Sequence, residues 1–366
     1  MDDLTDRLAL HRSNLPPDTL YKLLDHFGSA AAILNASPSQ LEIHPLSAEA
    51  ILRIKQPDTH GVKRDRLWAE HQDHWIIGLD DPAYPEQLKN ISQPPYLLYG
   101  IGDTDYLQRP QLAMVGSRTP TAAGRKIAEE FARHLSNNGL TITSGLARGI
   151  DGACHKGALE GLAGSTAVVA NGLDTIYPAQ HTQLAKHIAE NGCLVSETPV
   201  GIAPHKGLFP KRNRIISGLS LGTLVVEAAK NSGSLITARQ AMEQGRELFA
   251  IPGSIHNPLS RGCHSLIRQG AKLVETTEDI LEELITLVNL ASSRHTSGHI
   301  MQSAVNNTLE PGYQKLLECM DFEPIAIDEL VTRSNMSVAE IASMLLILEL
   351  QGHVVSENGR FCRVQN

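Results

Sequence analysis

The sequence predicts an α/β protein: a mostly parallel sheet with helices on both faces, a small helical module before it and a winged helix after it. Three observations predict this. From Gln111 to about Leu287, apolar stretches of strand length alternate with amphipathic stretches of helical period, the pattern of successive strand–helix units. Where the apolar stretches end, glycine and small polar residues recur, as they do where backbone approaches a ligand closely. Beyond residue 309, three helical patterns precede a hairpin-like segment, the order of a winged helix-turn-helix.

Taken in order, residues 10–60 read as short helices joined by Pro- and Gly-bearing turns. Leu20, Leu23, Leu24 and Phe27 have helical spacing, Gly28 breaks the helix, and Ile33-Leu34 begin the next apolar face. Helix–Gly–helix hairpins can hold nucleic-acid phosphates or simply pack, and both readings stand. This module is assigned residues 1–80. Pro82, Pro85, Pro94 and Pro95 mark an irregular connection inside the next domain, 81–288. Its strands are expected at Leu112–Gly116, Leu140–Ser144, Thr166–Ala170, Leu194–Ser196, Thr223–Glu227, Leu248–Ile251 and Lys272–Val274, with helices such as Ala122–Asn137 and Leu184–Glu190 between them. Residues 289–308 form a polar linker. In 309–366, Tyr313–Met320, Ile327–Arg333 and Val338–Leu350 are helical, and residues 352–364 form the wing.

With 366 residues, 42% of them hydrophobic, the chain has room for two or three cores. Its net charge of −8 is unevenly spread. Residues 1–109 carry ten basic against sixteen acidic side chains and 309–366 four against nine, whereas 110–285 carry seventeen against fifteen. An anionic partner is therefore sought in the middle of the chain. The five cysteines (Cys154, Cys193, Cys263, Cys319 and Cys362) are scattered and never in a Cys-x-x-Cys pair, which fits a reducing cytoplasm and speaks against structural zinc. Sixteen histidines form no His-x-x-x-His or His-Glu-x-x-His pattern, so no metal site is expected. The start has no basic-then-apolar signal pattern, and no apolar run approaches the roughly 20 residues of a membrane span, so a cytoplasmic protein without a membrane partner is expected.

The strongest local signal is Phe209-Pro-Lys-Arg-Asn-Arg-Ile-Ile-Ser217, which gathers Lys211, Arg212 and Arg214 around Asn213 without an interleaved carboxylate. Phosphate suits such a cluster, because Arg can grip it with two parallel hydrogen bonds. Phe209 reads equally as a stacking surface for a base or as core. Arg118 follows a strand and precedes a helix expected to start near Thr119-Pro120, which would add its charge to a helix N-terminus. Ser144-Gly-Leu-Ala-Arg-Gly-Ile-Asp151 and His155 place an acid and an imidazole one helical turn apart. That spacing serves acid–base chemistry or helix capping, and the absence of a partnered nucleophile, metal trio or second carboxylate favours capping. Ser232-Gly-Ser-Leu-Ile-Thr237 is a second helix start with free amides. The dinucleotide fingerprint Gly-x-Gly-x-x-Gly is absent at Gly116, so no nicotinamide or flavin cofactor is expected. The second helix of the wing domain, Ser337–Leu350, carries Glu340 and Glu349 but no Lys or Arg, which suits a protein contact better than a DNA groove.

Through these residues the chain resembles the DNA-processing protein A family (DprA, also called Smf), across nearly its whole length and most strongly from Gly116 to Leu284. The resemblance is carried by Val115-Gly-Ser-Arg118, Ser144–Asp151 with His155, Tyr177-Pro178, Ser196-Glu197 and Phe209–Ile216. It continues through Glu227-Ala228, Ser232–Ala238, Pro252-Gly253, Leu266-Ile267 and Gly270-Ala271. His264 departs from it, since the family often has Asn there. The resemblance implies an extended Rossmann-like domain that binds single-stranded DNA, loading of RecA recombinase onto incoming strands in natural transformation, and no catalytic residues. It further implies a homodimer through the carboxyl-terminal part of that domain, here about Ile251–Val274. For DNA it points to Ser117, Arg118, Lys211, Arg212, Asn213 and Arg214, with Gly116, Gly145, Arg148, Ser232, Gly233 and Ser234 as backbone or secondary contacts.

Two rival readings stand beside this one. A nucleotide hydrolase of the lysine-decarboxylase-like family would carry Pro-Gly-Gly-x-Gly-Thr followed by Glu, where this chain has Ser232-Gly-Ser-Leu-Ile-Thr-Ala-Arg239 without the carboxylate. A winged-helix regulator of duplex DNA would need the basic residues that Ser337–Leu350 lacks.

Overall fold

A computed structural model describes residues 3–284 and, beyond them, 316, 319–320, 325, 327–334, 336, 341, 345, 348, 354–357 and 360–363. The chain divides into two compact units, Met1–His295 and Thr296–Asn366.

The first unit opens with six helices: α1 (Asp3–Arg12), α2 (Pro17–Phe27), α3 (Ala30–Asn35), α4 (Pro38–Leu41), α5 (Ala48–Lys55) and α6 (Thr59–Ala69). Local chemistry sets their ends. Gly28 closes α2 at φ +80, Ser29, Ser47 and Asp58 cap α3, α5 and α6, and Ser37 with Gln40 forms a capping box on α4. Leu10, Leu20, Leu23, Ile33, Leu41 and Ile54 form the shared core of α1 to α5. Leu8 and Val62 instead pack with Leu97 and Tyr99 of the sheet, so the helices and the sheet belong to one unit.

The sheet follows: β1 (His74–Gly78), α7 (Glu86–Lys89), β2 (Leu97–Gly102), β3 (Gln111–Val115), α8 (Ala122–Asn137), β4 (Thr141–Ser144), α9 (Ile150–Leu159) and β5 (Ser165–Val168). After these come α10 (Thr182–Glu190), β6 (Gly192–Ser196), α11 (Leu208–Gly218), β7 (Gly222–Val225), α12 (Ser234–Glu243), β8 (Glu247–Ala250), α13 (Arg261–Arg268) and β9 (Lys272–Leu273). The strand order is β1-β2-β6-β5-β4-β3-β7-β8-β9. Strands β3 to β9 are parallel, while β2 pairs antiparallel with both β1 and β6. All seven strands expected from the sequence are present, within one or two residues at their ends.

Two strands are additional, β1 and β2. The stretch 1–80 assigned to the helical module includes β1, the edge strand of the sheet. The four prolines expected to mark an irregular connection bracket the link between β1 and β2, and that link contains only the short helix α7.

Alternation along β3 shows why helices cover both faces. Leu112 and Met114 pack with Ala128, Ala132 and Leu135 of α8 and with Ile150 of α9. Ala113 and Val115 pack on the other side with Ile215, Ile216 and Ala238 of α11 and α12. The chain steps outward from β3 through β4, β5 and β6, then returns to place β7 on the opposite side of β3. The carboxyl ends of β3 and β7 therefore flank the crevice where ligands of such sheets bind.

In the second unit, α14 (Ile327–Ser334) and the antiparallel pair β10 (Val354–Glu357) and β11 (Arg360–Arg363) are described. Leu316, Met320, Leu330, Ile341, Leu345 and Val354 form its core. Glu340 and Glu349 lie outside the described residues, as does the 289–308 linker. Among the described residues, no helix is long and apolar enough to cross a membrane.

Candidate nucleic-acid interface

The crevice at β3 and β7 is a cleft of about 780 Å3. Gly116, Ser117 and Arg118 leave β3 into its wall, Phe209, Arg212 and Asn213 enter from α11, and Ser232, Gly233 and Ser234 approach from the loop before α12. Backbone packing at the first wall leaves no room for side chains. A Cβ on Gly116 would sit 2.6 Å from Ile150 Cγ1, and one on Gly149 would sit 2.3 Å from the Ser117 carbonyl oxygen. Gly149 also has φ +81, and its neighbour Ile150 donates its amide to Ser117 O at 3.1 Å. Ser117 is buried, and its Oγ accepts from Thr119 N at 3.1 Å, holding the turn that presents Arg118. Arg118 itself is exposed, with its guanidinium carbon 5.5 Å from the Phe209 ring centroid. Tyr177 adds a second aromatic wall, its ring centroid 6.1 Å from that of Phe209.

The helix expected to begin near Thr119-Pro120 begins at Ala122, and Thr121 is its cap, accepting from Gly124 N at 2.9 Å. Its N-terminal anion seat is filled from within. Buried Glu227, at the exit of β7, accepts from Thr121 N at 2.9 Å and from Thr121 Oγ1 at 2.7 Å. Of the later helices, α12 starts in the cleft wall at Gly233 and Ser234, where Ser234 N donates to Ser232 Oγ at 3.3 Å; the first amides of α9 and α11 are taken by backbone, Ile150 N by Ser117 O and Leu208 N by His205 O, each at 3.1 Å.

The Lys211–Arg214 run does not act as one cluster. Successive residues on a helix point about 100° apart, and α11 divides the four between two surfaces. Arg212 and Asn213 line the cleft, whereas Lys211 and Arg214 line a second cavity. Arg212 is buried, and its Nη1 donates to Gly145 O at 2.6 Å and to Val168 O. Burial pushes its guanidinium down to about 10 against the opposing pull of Asp151. It is a clamp across the ends of β4 and β5 that also carries charge in the cleft floor. Gly145 is buried beneath it rather than open to ligand. Arg214 is paired with Glu197, both of whose oxygens lie 2.6 Å from Nη2. Arg148 is exposed but is not among the residues lining the cleft.

Asp151 and His155 are both buried. Asp151 Oδ2 accepts from Gly145 N at 3.1 Å and Ala147 N at 3.3 Å, while His155 Nε2 accepts from Leu146 N at 3.3 Å. Together they hold three consecutive amides of one turn, including Leu146 at φ +55. Burial pushes the Asp151 carboxyl up, opposed by Arg212, its two amide donors and Arg118. Burial, with the charges of His181 and Arg212, pushes His155 down to about 3, so it is neutral. Its Nδ1 meets Ser165 Oγ at 2.7 Å, and that hydroxyl donates to Ile142 O at 2.6 Å. The imidazole is saturated and faces inward, which makes it a turn-holding group.

Lys206, exposed and in the cleft wall, was not singled out by the sequence pattern. Its signal is thin: one lysine beside Gly207, in the polar loop before α11. Among the described residues, no group of three or more His, Cys, Asp or Glu could hold a metal ion.

Two family models match the chain: DNA recombination-mediator protein A over residues 75–285 and the DprA winged helix domain over residues 302–360. The first match begins within β1. Protein Smf of Escherichia coli is 44% identical over 312 residues, covering 83% of this chain and 81% of that protein. DNA processing protein DprA of Bacillus subtilis is 44% identical over 225 residues, covering 61% of this chain and 76% of its own length. The X-ray structure of DprA from Streptococcus pneumoniae aligns with TM-score 0.68 at 38% identity, over 76% of this chain and 97% of that one. DNA processing protein A from Helicobacter pylori, whose structure addresses a unique single-stranded DNA binding mode, aligns with TM-score 0.54 at 30% identity, over 60% and 98%.

Proposed function

Because this chain belongs to the DNA recombination-mediator protein A family, whose members are called DprA and Smf, we propose that its cleft binds single-stranded DNA and that it passes the strand to RecA recombinase in DNA uptake. The observation that carries this reading is the cleft itself. It combines exposed Arg118 and Lys206, the aromatic rings of Phe209 and Tyr177, and the start of α12 at Gly233 and Ser234. Cations suit phosphates, and aromatic rings suit unstacked bases, which a single strand offers and a duplex hides. The H. pylori relative, with its single-stranded DNA binding mode, supports the same reading.

In this proposal Arg118, Lys206 and the segment Ser232, Gly233 and Ser234 contact the strand, Asn213 lines its path, and Arg212 supports it from the floor. The proposal includes no covalent chemistry, and the acid–imidazole pair of Asp151 and His155 is spent on one turn. A homodimer through residues 251–274 is part of the proposal, favoured by exposed Ile255 and Leu273 in that stretch. The domain limits proposed are those read from the sequence, with the first boundary moved ahead of β1, and the winged helix is proposed to bind protein.

The test is competition. A labelled oligothymidine bound to the intact protein should be displaced by unlabelled single strand and not by an equal mass of duplex. RecA filament growth on the bound strand should be faster than on strand alone. Displacement by duplex, or growth that is unchanged, would contradict the corresponding half of the proposal.

A further inference from the structure

The chain leaving β3 carries the exposed Arg118 on a turn, Ser117–Thr121, that is anchored at both ends. At its start, Ser117 O accepts from Ile150 N and Ser117 Oγ from Thr119 N, each at 3.1 Å. At its end, Thr121 donates both its amide and its hydroxyl to Glu227, at 2.9 and 2.7 Å, while its Oγ1 accepts from Gly124 N to cap α8. Between the two anchors, Pro120 has no amide to donate. The downstream anchor of Arg118 is therefore one carboxylate, supplied from the exit of β7.

Two effects oppose a carboxylate at this place. Glu227 is 8% exposed and its donors are neutral: the two groups of Thr121 and, at 3.5 Å, Asn257 Nδ2. Burial of a charge among neutral donors costs solvation, and a negative charge beside the cleft repels phosphate. What Glu227 contributes lies in the bonds it makes. Helix α8 starts directly against it, since a Cβ on Gly124 would lie 2.4 Å from Glu227 Cδ. The next residue holds another part of the cleft wall. Ala228 N donates to Leu259 O at 2.7 Å, Ala228 O accepts from Gly262 N at 2.8 Å, and Leu259 lines the cleft. The exit of β7 thus fixes the Arg118 turn relative to the rest of the cleft.

We propose that Glu227 is a positioning residue for strand binding: it does not touch the strand, and by holding Thr121 it sets where Arg118 presents its charge to a phosphate. A turn fixed in advance has no freedom left to lose when the strand binds. The proposal rests on the cleft being the strand's site.

The test turns on the sign of an effect. If only charge is at work, removing the carboxylate tightens strand binding whether Gln or Ala replaces it. If Glu227 positions Arg118, Glu227→Ala weakens binding, whereas Glu227→Gln, which keeps an oxygen to accept from Thr121, does not. The measurement is fluorescence anisotropy of a labelled oligothymidine on the full chain, with a urea titration beside each variant. The expected result is a loss of about fivefold or more in Glu227→Ala, the size of a coupling between neighbouring groups, with binding at least as tight as wild type in Glu227→Gln. Made on top of Arg118→Ala, Glu227→Ala should weaken binding no further, an outcome that general loss of structure would not produce. Should Glu227→Ala not fold, Thr121→Val, which removes the hydroxyl bond to Glu227, takes its place in the comparison with Arg118→Ala. Unchanged or tighter binding in Glu227→Ala, or an equal loss with and without Arg118, overturns the proposal and leaves the cleft reading intact. A wild-type chain that binds no strand overturns both.

Discussion

Arg118 and Arg212 come from similar basic motifs and serve opposite purposes. Arg118 is exposed on a turn whose polar groups are already satisfied, so its charge is available to a ligand. Arg118→Ala should cost single-strand binding about 1–3 kcal/mol with unfolding unchanged, read by fluorescence anisotropy beside a urea titration. Arg212 is bound to the carbonyls of Gly145 and Val168, and removing it leaves buried acceptors open. Arg212→Ala should therefore lower unfolding stability by roughly 1–3 kcal/mol, visible as a lower urea midpoint. His155 gives a pH signature. Its folded value, about 3, lies below the ordinary 6.5, so its contribution to stability is full above pH 6.5 and is lost as pH falls from there toward 3. The stability gap between wild type and His155→Asn should therefore be widest at pH 7 and narrow steadily below 6.5. Asp151 shifts the other way, and its effect cancels in that difference. A gap independent of pH would show that His155 is not held neutral.

At the scale of elements, the sequence made the parallel strands legible because each is a short apolar run bounded by glycine. It also made α8 legible, because Ile127, Phe131 and Leu135 repeat at helical spacing on a long stretch. Strands β1 and β2 were not legible. They are five and six residues long, lie among prolines, and β2 contains Gly100 and Gly102 where a strand signal needs side chains. The motifs of the site were visible, but their roles were not. Four consecutive polar residues look like one cluster in the sequence, and only the turn of α11 separates Arg212 from Arg214. The filling of the seat at α8 is hidden in the sequence for a related reason, since the carboxylate there, Glu227, lies 106 residues away. Gly149 carries the clearest prediction at this scale. Gly149→Ala forces a side chain into φ +81 and against the Ser117 carbonyl, which should destabilise the protein by about 1–3 kcal/mol or more. A thermal unfolding curve that does not move would contradict the close packing of the β3 and β4 exits.

Across the whole molecule, charge is unevenly placed. The protein is acidic, yet Arg118 and Lys206 are exposed in the cleft wall. If these two and Arg212 in the floor neutralise about three phosphates, the logarithm of affinity should fall with the logarithm of salt at a slope near −0.7 times three, roughly −2. The division of the chain near residue 295 allows the two units to be tested apart. The measurement that tests the central claim most directly is anisotropy with labelled single-stranded and duplex oligonucleotides across a salt series, on the intact protein and on a chain ending near Ala291. The predicted result is a preference for single strands with a steep salt slope that survives the truncation. A preference for duplex that disappears with the winged helix would contradict it and place DNA binding in the second unit.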